Sequence, residues 1–330
     1  MRWLKNYYRP THLRAGNKSA IAEYKRLLND ETVQLITVGC PNCRKHDDEL
    51  LFDRDRYGIP WNTVICRNCG MIYSNPQMDA DSTAYFYSSD LYRKIYGAGD
   101  LLQDSTDMFD LDVDRSSDYH RLTHYDFIKD TGIRYKTLVE IGAGGGWNLV
   151  PFINEGTICV GYDFSPVLVD AGRQAGINMI HADDQGLDGK FDLIMLKHVL
   201  EHLDDPIEQL VSLRNHLTTD GHLFIEVPGI VAKIPSIQNA HYHYFSERTL
   251  NSIVSQSGFE ITNSRTIARN GNILALAKHS GINEKPEFNS SEFDWAMDII
   301  HRGRRGMFKA LIAQSMPNPI VKLIRAVIRR

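Results

Sequence analysis

Two pairs of cysteines and one run of glycines carry the plainest chemistry in the chain. Cys40-Pro41-Asn42-Cys43 and Cys66-Arg67-Asn68-Cys69 form two C-x2-C pairs, joined by a spacer slightly longer than the usual zinc pattern. Each pair fits a tight turn that points two thiolates at one centre, and two such turns complete a tetrahedral shell of four sulfurs. Zinc suits that shell, and with no position left for water or substrate the ion would be structural. The competing reading is a pair of redox motifs, which belong in a strand-helix-strand unit that neither pair occupies. The fifth cysteine, Cys159, stands in the apolar run Thr157-Ile158-Cys159-Val160-Gly161 and reads as a small core residue rather than a nucleophile.

The glycines lie in Leu138-Val139-Glu140-Ile141-Gly142-Ala143-Gly144-Gly145-Gly146-Trp147, a strand that enters a turn and then a helix. Glycine is required where backbone must approach a ligand or take positive φ. The dinucleotide fingerprint G-x-G-x-x-G fails, because the sixth position from Gly142 is Trp147, and no Lys-Ser/Thr follows to grip a phosphate. What fits is acid-x-Gly-x-Gly-x-Gly over Glu140, Gly142, Gly144 and Gly146. Asp163 ends the next strand, in Gly161-Tyr162-Asp163, near the spacing from the loop at which a second strand offers a carboxylate to ribose hydroxyls. Asp183, or its neighbour Asp184, closes the third strand. A ligand with a ribose, an adenine and little negative charge is implied, and S-adenosylmethionine (SAM) meets that description.

Methyl transfer is an in-line displacement, so the acceptor must sit about 3–3.5 Å from the methyl carbon and one proton must be managed. Histidine is the side chain whose ordinary pKa lies closest to neutrality. The candidate segment is Asn239-Ala240-His241-Tyr242-His243-Tyr244-Phe245-Ser246. His241, His243 and His198 are the candidate bases, and Tyr242 and Tyr244 the candidate acceptor contacts. The plain alternative is that these rings pack the loop, that His198 is a satisfied structural histidine, and that Glu201 and His202 only cap or orient the helix after the fourth strand.

These residues need a sheet to hold them. From Lys136 onward, short β-rich runs alternate with helix-length segments: Thr137–Ile141, Ile158–Tyr162, Asn178–His181, Phe191–Leu196, His222–Val227, Glu260–Thr266 and Ile273–Ala277. Such alternation predicts an α/β sheet with helices on both faces, and the last two runs suit a hairpin at one edge. Ahead of it lie a basic helical segment over residues 1–32, with a helix near Ser19–Leu28, and a strand-and-turn Cys module over 33–78. An aromatic helical connector follows over 79–114, in which Tyr85-Phe86-Tyr87 has helical spacing, as does Tyr119 to Tyr125 just beyond it. The sheet domain takes 115–280 and a basic tail 281–330. In that tail Ile320, Leu323, Ile324, Val327 and Ile328 form the apolar stripe of an amphipathic helix flanked by Lys322, Arg325, Arg329 and Arg330.

The chain has 330 residues, 37 Lys and Arg against 41 Asp and Glu, a net charge of −4, and five cysteines. Residues 1–29 carry seven basic groups and one acid, and residues 301–330 carry eight basic groups and no acid, so the body between holds −18. A body that acidic is a poor binder of duplex nucleic acid, which must be held by neutralising phosphates. Few cysteines, no apolar run long enough to span a bilayer and no signal-peptide pattern at the start lead to a cytoplasmic expectation. The basic amphipathic tail suits peripheral contact with the inner face of a membrane, packing on the body, or a homo-oligomer contact.

Glu140 to Gly146, Asp163, Asp183, the segment Phe191 to Pro206 and the segment His222 to Pro228 resemble successive motifs of the class I SAM-dependent methyltransferases over about residues 115–280. The Cys module, followed by Met71-Ile72-Tyr73-Ser74-Asn75-Pro76-Gln77, resembles a bacterial branch with an N-terminal zinc ribbon. That branch includes deoxysugar C-methyltransferases and enzymes of surface-polysaccharide assembly. The resemblance implies a Rossmann-like seven-stranded sheet with helices on both faces. It implies that SAM is held by Glu140, Gly142, Ala143, Gly144, Asp163, Phe164, Asp183, Lys197 and His198, and structural zinc by Cys40, Cys43, Cys66 and Cys69. Its sugar C-methyltransferases have a Glu-His pair in the acceptor loop; the His falls on His241 and the Glu on Ala240. That departure turns the expectation toward methyl transfer to a sugar hydroxyl, nucleotide-linked or in a surface glycan, with a His base. The alternatives are C-methylation of a keto-deoxysugar nucleotide, methylation of another small molecule or lipid, and, in a different class, a zinc-ribbon binding module with a non-catalytic body.

Overall fold

The structure is a computed structural model that describes residues 15–89, 91–96, 109–112, 114–230, 237–281, 286–288 and 290–315. The expected amphipathic stripe beyond Pro317 and the first fourteen residues lie outside the described residues. In chain order the elements begin with α1 (Ala15–Asn29), β1 (Leu35–Ile36), β2 (Asp48–Arg54), β3 (Pro60–Cys66), β4 (Ile72–Ser74) and β5 (Gln77–Met78). Then come α2 (Ala80–Ser88), α3 (Leu91–Tyr96), α4 (Thr123–Asp130), β6 (Thr137–Ile141), α5 (Val150–Asn154), β7 (Ile158–Asp163), α6 (Pro166–Gln174), β8 (Met179–His181) and β9 (Phe191–Lys197). A 3-10 turn (Leu200–His202) leads to α7 (Pro206–Arg214), β10 (Leu217–Pro228), β11 (His243–Tyr244), α8 (Glu247–Gln256), β12 (Phe259–Thr266), β13 (Asn272–His279) and α9 (Ser290–Ser315).

The seven runs read from the sequence form one mixed sheet in the order β12-β13-β10-β9-β6-β7-β8. The five strands from β10 to β8 are parallel, while β13 is antiparallel to both β10 and β12. The edge hairpin is therefore turned so that its second strand meets the parallel block. Leu138, Val139 and all of Leu193 to Leu196 are buried, as befits central strands covered on both faces by helices. Local chemistry starts the covering helices. Ser165 caps α6, with Pro166 at its first position. Asp205 caps α7 by accepting the Ile207 and Glu208 N–H groups, both at 3.1 Å. Ser246 and Thr249 form a reciprocal capping box on α8.

The helix expected around Tyr119 to Tyr125 begins only at Thr123. Thr123 Oγ1 accepts the His120 N–H and donates to the His120 carbonyl, both at 2.7 Å, so the preceding residues close a turn rather than wind the helix.

The Cys module builds a second sheet in the order β11-β4-β3-β2. Its outer strand β11 comes from the loop after β10, far along the chain from the module itself, with His243 opposite Tyr73 and Tyr244 opposite Ile72. Cys40, Cys66, Cys69 and Met71 share one buried cluster with Val139, Leu196, Ile225 and Phe245, so the module and the large sheet have a common core. Arg44 bridges to Asp205 at 2.7 Å, and Asn42 Oδ1 accepts from Ser252 Oγ at 2.7 Å and Gln256 Nε2 at 2.8 Å. Among the described residues no helix is long and apolar enough to cross a membrane.

Candidate active site

The carboxyl ends of β6, β7, β9 and β10 bring a row of functional side chains to one edge of the sheet. Gly142, Gly144 and Gly146 take positive φ of 69°, 59° and 77°. A Cβ on Gly142 would meet Val199 Cγ2 at 2.6 Å, and one on Gly144 would meet the Trp147 ring at 2.9 Å. The loop needs glycine for conformation and for space alike. Asp163, at the end of β7, accepts the Gly144 N–H at 2.7 Å and the Ser165 N–H at 2.8 Å. Burial pushes its carboxyl up, against the pull of those two N–H groups. Two bonds leave lone pairs on the carboxylate for further donors such as ribose hydroxyls. Next to it Phe164 is 65% exposed, an apolar face beside the carboxylate, and its carbonyl lies 2.9 Å from His181 Nε2. Asp183 is exposed beyond β8, and Ala143 is buried under the loop.

Glu140 is wholly buried. Its Oε1 accepts from Asn148 Nδ2 at 2.7 Å, while Oε2 has no hydrogen-bond partner. Burial lifts the carboxyl to about 8, although Asn148 and the Lys197 charge pull it down. Lys197 Nζ reaches Asn148 Oδ1 at 3.1 Å, so Glu140, Asn148 and Lys197 form one polar chain beneath the glycine loop. An orphaned buried oxygen, a loop with no room for Cβ atoms and a half-satisfied Asp163 fit a cationic nucleoside at this edge.

His198 follows β9 with φ of 57°, an unusual backbone for a non-glycine residue. Its Nδ1 lies 3.2 Å from Glu201 Oε1 and its Nε2 3.3 Å from Glu226 Oε1; Asn272 Nδ2 also donates to Glu226, at 2.7 Å. Burial lowers the His198 pKa, but the two carboxylates outweigh it and raise it to about 9. Burial raises the Glu226 carboxyl, yet His198 and Lys197 together hold it well below the usual range. His198 is thus an imidazolium near neutrality, a donor between two carboxylates rather than a base.

His241 and His202 stand edge to face, with ring centroids 4.8 Å apart. His241 Nε2 contacts the Gln238 side-chain amide and lies 4.0 Å from Glu201 Oε1. His202 Nδ1 is 2.7 Å from the Ala240 carbonyl, which makes it the protonated nitrogen and leaves Nε2 without a proton. The backbone of Ser74, in the Cys module, donates to the Tyr242 carbonyl at 2.8 Å, and Ser74 Oγ donates to the His241 carbonyl at 3.0 Å.

The other loop candidates face inward. His243 is fully buried, its Nε2 lies 2.6 Å from the Leu203 carbonyl, and burial drives its pKa to about 4. Tyr242 is buried against Trp61 with its hydroxyl 2.7 Å from Thr83 Oγ1, and the Tyr244 hydroxyl is held by the Gln238 backbone. The structure joins these three to the loop's packing, whereas it brings His241 together with Glu201, His202 and His198. Glu226, Asn272, Asn148 and Ser74 are partners that motif reading passed over. The signal that could have found Glu226 and Asn272 is their position near the end of β10 and at the start of β13, at one edge of the sheet.

The four cysteines are not bonded to one another, and their sulfurs lie within 4.8 Å of each other, with Cys40–Cys69 and Cys43–Cys66 at 3.5 Å. Zn–S bonds of about 2.3 Å in a tetrahedron give sulfur separations of about 3.8 Å, so this set has the right size for zinc.

Known proteins bear on the same edge of the sheet. Residues 112–264 match the family of the methyltransferase domain. That match and the seven-stranded mixed sheet agree on a class I SAM-dependent methyltransferase fold for this segment. C-methyltransferase NovU of Streptomyces niveus is 26% identical over 249 residues, 69% of this chain and 54% of that protein. A tRNA U34 carboxymethyltransferase of Aeromonas hydrophila is 31% identical over 100 residues, 27% of this chain and 31% of that protein. The chain thus spans about half or less of the curated relatives it matches. Among solved structures, the glycopeptide N-methyltransferase MtfA complexed with SAM is 16% identical, covering 48% of this chain and 93% of its own, with a TM-score of 0.41. A likeness that slight carries no argument about the acceptor. The methyltransferase domain holds the glycine loop, Asp163 and the His198–Glu201 pair, and the 249-residue similarity to NovU is too long to be confined to it.

Proposed function

We propose that the chain transfers the methyl group of SAM to a small-molecule acceptor, and that the acceptor is the carbon beside a carbonyl of a nucleotide-linked keto-sugar. SAM would be held by the Gly142 and Gly144 backbone, Asp163 at the ribose, Phe164 beside the adenine, and Glu140 with Lys197 toward the methionyl end; bound there, it supplies an electrophilic methyl group. The chain's own part is to orient the acceptor, exclude water and take one proton, and His241, only 8% exposed, is the group that takes it. The four cysteines would hold a structural zinc ion.

The observation that carries this reading is Glu201 Oε1 at 4.0 Å from His241 Nε2. Ala240 supplies no carboxylate, which in the sequence favoured a hydroxyl acceptor; in space a neighbouring turn supplies one. Removing a proton from carbon needs a better-supported base than removing one from a hydroxyl. The similarity to a C-methyltransferase over 69% of the chain supports carbon as well.

The test is incubation with nucleotide-linked keto-sugars in deuterated water, with and without SAM. The reading expects solvent deuterium at the acceptor carbon without SAM, a methyl group on that carbon with it, and loss of both in His241→Ala. A methyl ether formed with no exchange at carbon would return the acceptor to a hydroxyl.

A further inference from the structure

Glu201 has no role in the sequence motifs beyond orienting a helix, yet it is as deeply buried as Glu140 and Glu226. Its side chain is completely buried, Oε1 faces two histidines, and Oε2 has no hydrogen-bond partner. A buried, half-satisfied carboxylate is costly unless something offsets it. Anchoring the loop does not require the side chain, because the Glu201 carbonyl already accepts the Tyr242 N–H at 2.8 Å. The offset comes from His198, whose Nδ1 lies 3.2 Å from Glu201 Oε1 while its Nε2 lies 3.3 Å from Glu226 Oε1, so an imidazolium stands against the buried carboxyl.

We propose that Glu201 is the positioning carboxylate of His241, fixing its ring and stabilising the imidazolium formed when His241 takes the acceptor's proton. The assignment rests on His241 as the base of the proposed methyl transfer. In that step the acceptor's C–H electron pair passes to the new C–CH3 bond, the methyl–sulfur bond breaks to leave a neutral thioether, and the proton goes to His241. His241 then carries a positive charge 4.0 Å from Glu201 Oε1. The groups facing His241 are Glu201, the His202 ring at 4.8 Å, the Tyr244 ring at 6.0 Å and Gln238. Those whose charges reach Glu201 are His198, His202, His243, Tyr87 and Tyr92. Only His198 among them is a cation near neutrality, and its Nδ1 lies 3.2 Å from the same Oε1 that faces His241.

Glu201, His202 and His241 have ligand atoms within 4.8 Å and could be read as a cation site. Against that reading, the His241 nitrogen nearest Glu201 already contacts the Gln238 side-chain amide.

The experiment pairs Glu201→Gln with an NMR titration of 15N-labelled histidines in the full chain. Glu201→Gln is expected to lower kcat about tenfold to a hundredfold, with the acceptor KM and the affinity for S-adenosylhomocysteine little changed. An opposite charge within 4–6 Å moves a pKa by about 1–3 units, so the acidic limb of the kcat profile moves down by about one unit in the variant. Glu201→Asp should recover part of kcat. Unchanged kcat and an unmoved limb overturn the proposal. Should the variant fail to fold, the wild-type titration decides: a His241 pKa above about 6.5 supports the pairing, and one below it overturns it. Saturable Mn2+ binding that activates the wild type but not Glu201→Ala would also overturn it, in favour of a metal site. The titration needs no acceptor, so failure to methylate any substrate would refute the proposed function without touching this pairing.

Discussion

Replacing Ser74 by Ala removes one oxygen that joins the Cys module to the proposed base, His241. Ser74 Oγ accepts the Trp61 Nε1–H at 2.7 Å and donates to the His241 carbonyl at 3.0 Å, with Ser74 fully buried and Trp61 2% exposed. Ser74→Ala leaves a buried indole N–H and a buried carbonyl unpaired, each costing about 1–3 kcal/mol. We expect a loss of roughly 2–6 kcal/mol in urea unfolding. The larger effect should be kinetic. His241 loses the contact that sets its main chain, and misplacement of a reacting group by about 1 Å can cost about a hundredfold in rate. The assay is kcat at saturating SAM beside calorimetric binding of S-adenosylhomocysteine, whose proposed contacts lie at the ends of β6 and β7. A fall in kcat of tenfold or more with binding retained is expected. Full kcat despite the stability loss would refute the reasoning that the module positions the base, and loss of binding in step with kcat would show a general defect instead.

Metal analysis should find one zinc per chain, and Cys66→Ser should lose it and lower kcat more than cofactor affinity, because β4 of that module pairs with β11 of the base loop. Glu140 binds a proton up to about 8 in the folded chain against 4.5 ordinarily, so stability falls as pH rises between those values, by up to roughly 4–5 kcal/mol. His198, lifted from 6.5 to about 9, adds stability that is complete below pH 6.5 and is lost as pH rises through 9. Melting temperature should therefore drop from pH 6 to pH 9, and Glu140→Gln should drop less; an equal drop would show that Glu140 does not titrate there. Gly144→Ala places a Cβ 2.9 Å from the Trp147 ring at a φ of 59°. It should weaken S-adenosylhomocysteine at least tenfold in calorimetry, and unaltered affinity would remove the loop from the cofactor site.

Much of this architecture was legible from periodicity. The seven strands are continuous apolar runs bounded by turn residues, so their existence and edges could be read, and the acid and glycine positions follow from their ends. The pairing of His243–Tyr244 with Tyr73 and Ile72 was not legible, because a two-residue strand has no period and its partner lies far away in sequence. For the same reason His243 looked like a second base and Tyr242 and Tyr244 like acceptor contacts, while all three pack into the loop. Glu201 was hidden differently: its spacing suits a helix start, and its value as a carboxylate beside His241 exists only in space. The helix before Thr123 failed because a local Thr-to-backbone turn competes with helical hydrogen bonds.

The claim on which the rest depends is that the edge formed by Gly142, Gly144 and Asp163 binds a SAM-type nucleoside. Calorimetric titration of the full chain with S-adenosylhomocysteine, alongside Asp163→Ala, measures it directly. The account predicts one site per chain, saturable in the wild type and weakened at least tenfold in the variant. No heat of binding in the folded wild type, or equal binding in both, would contradict it.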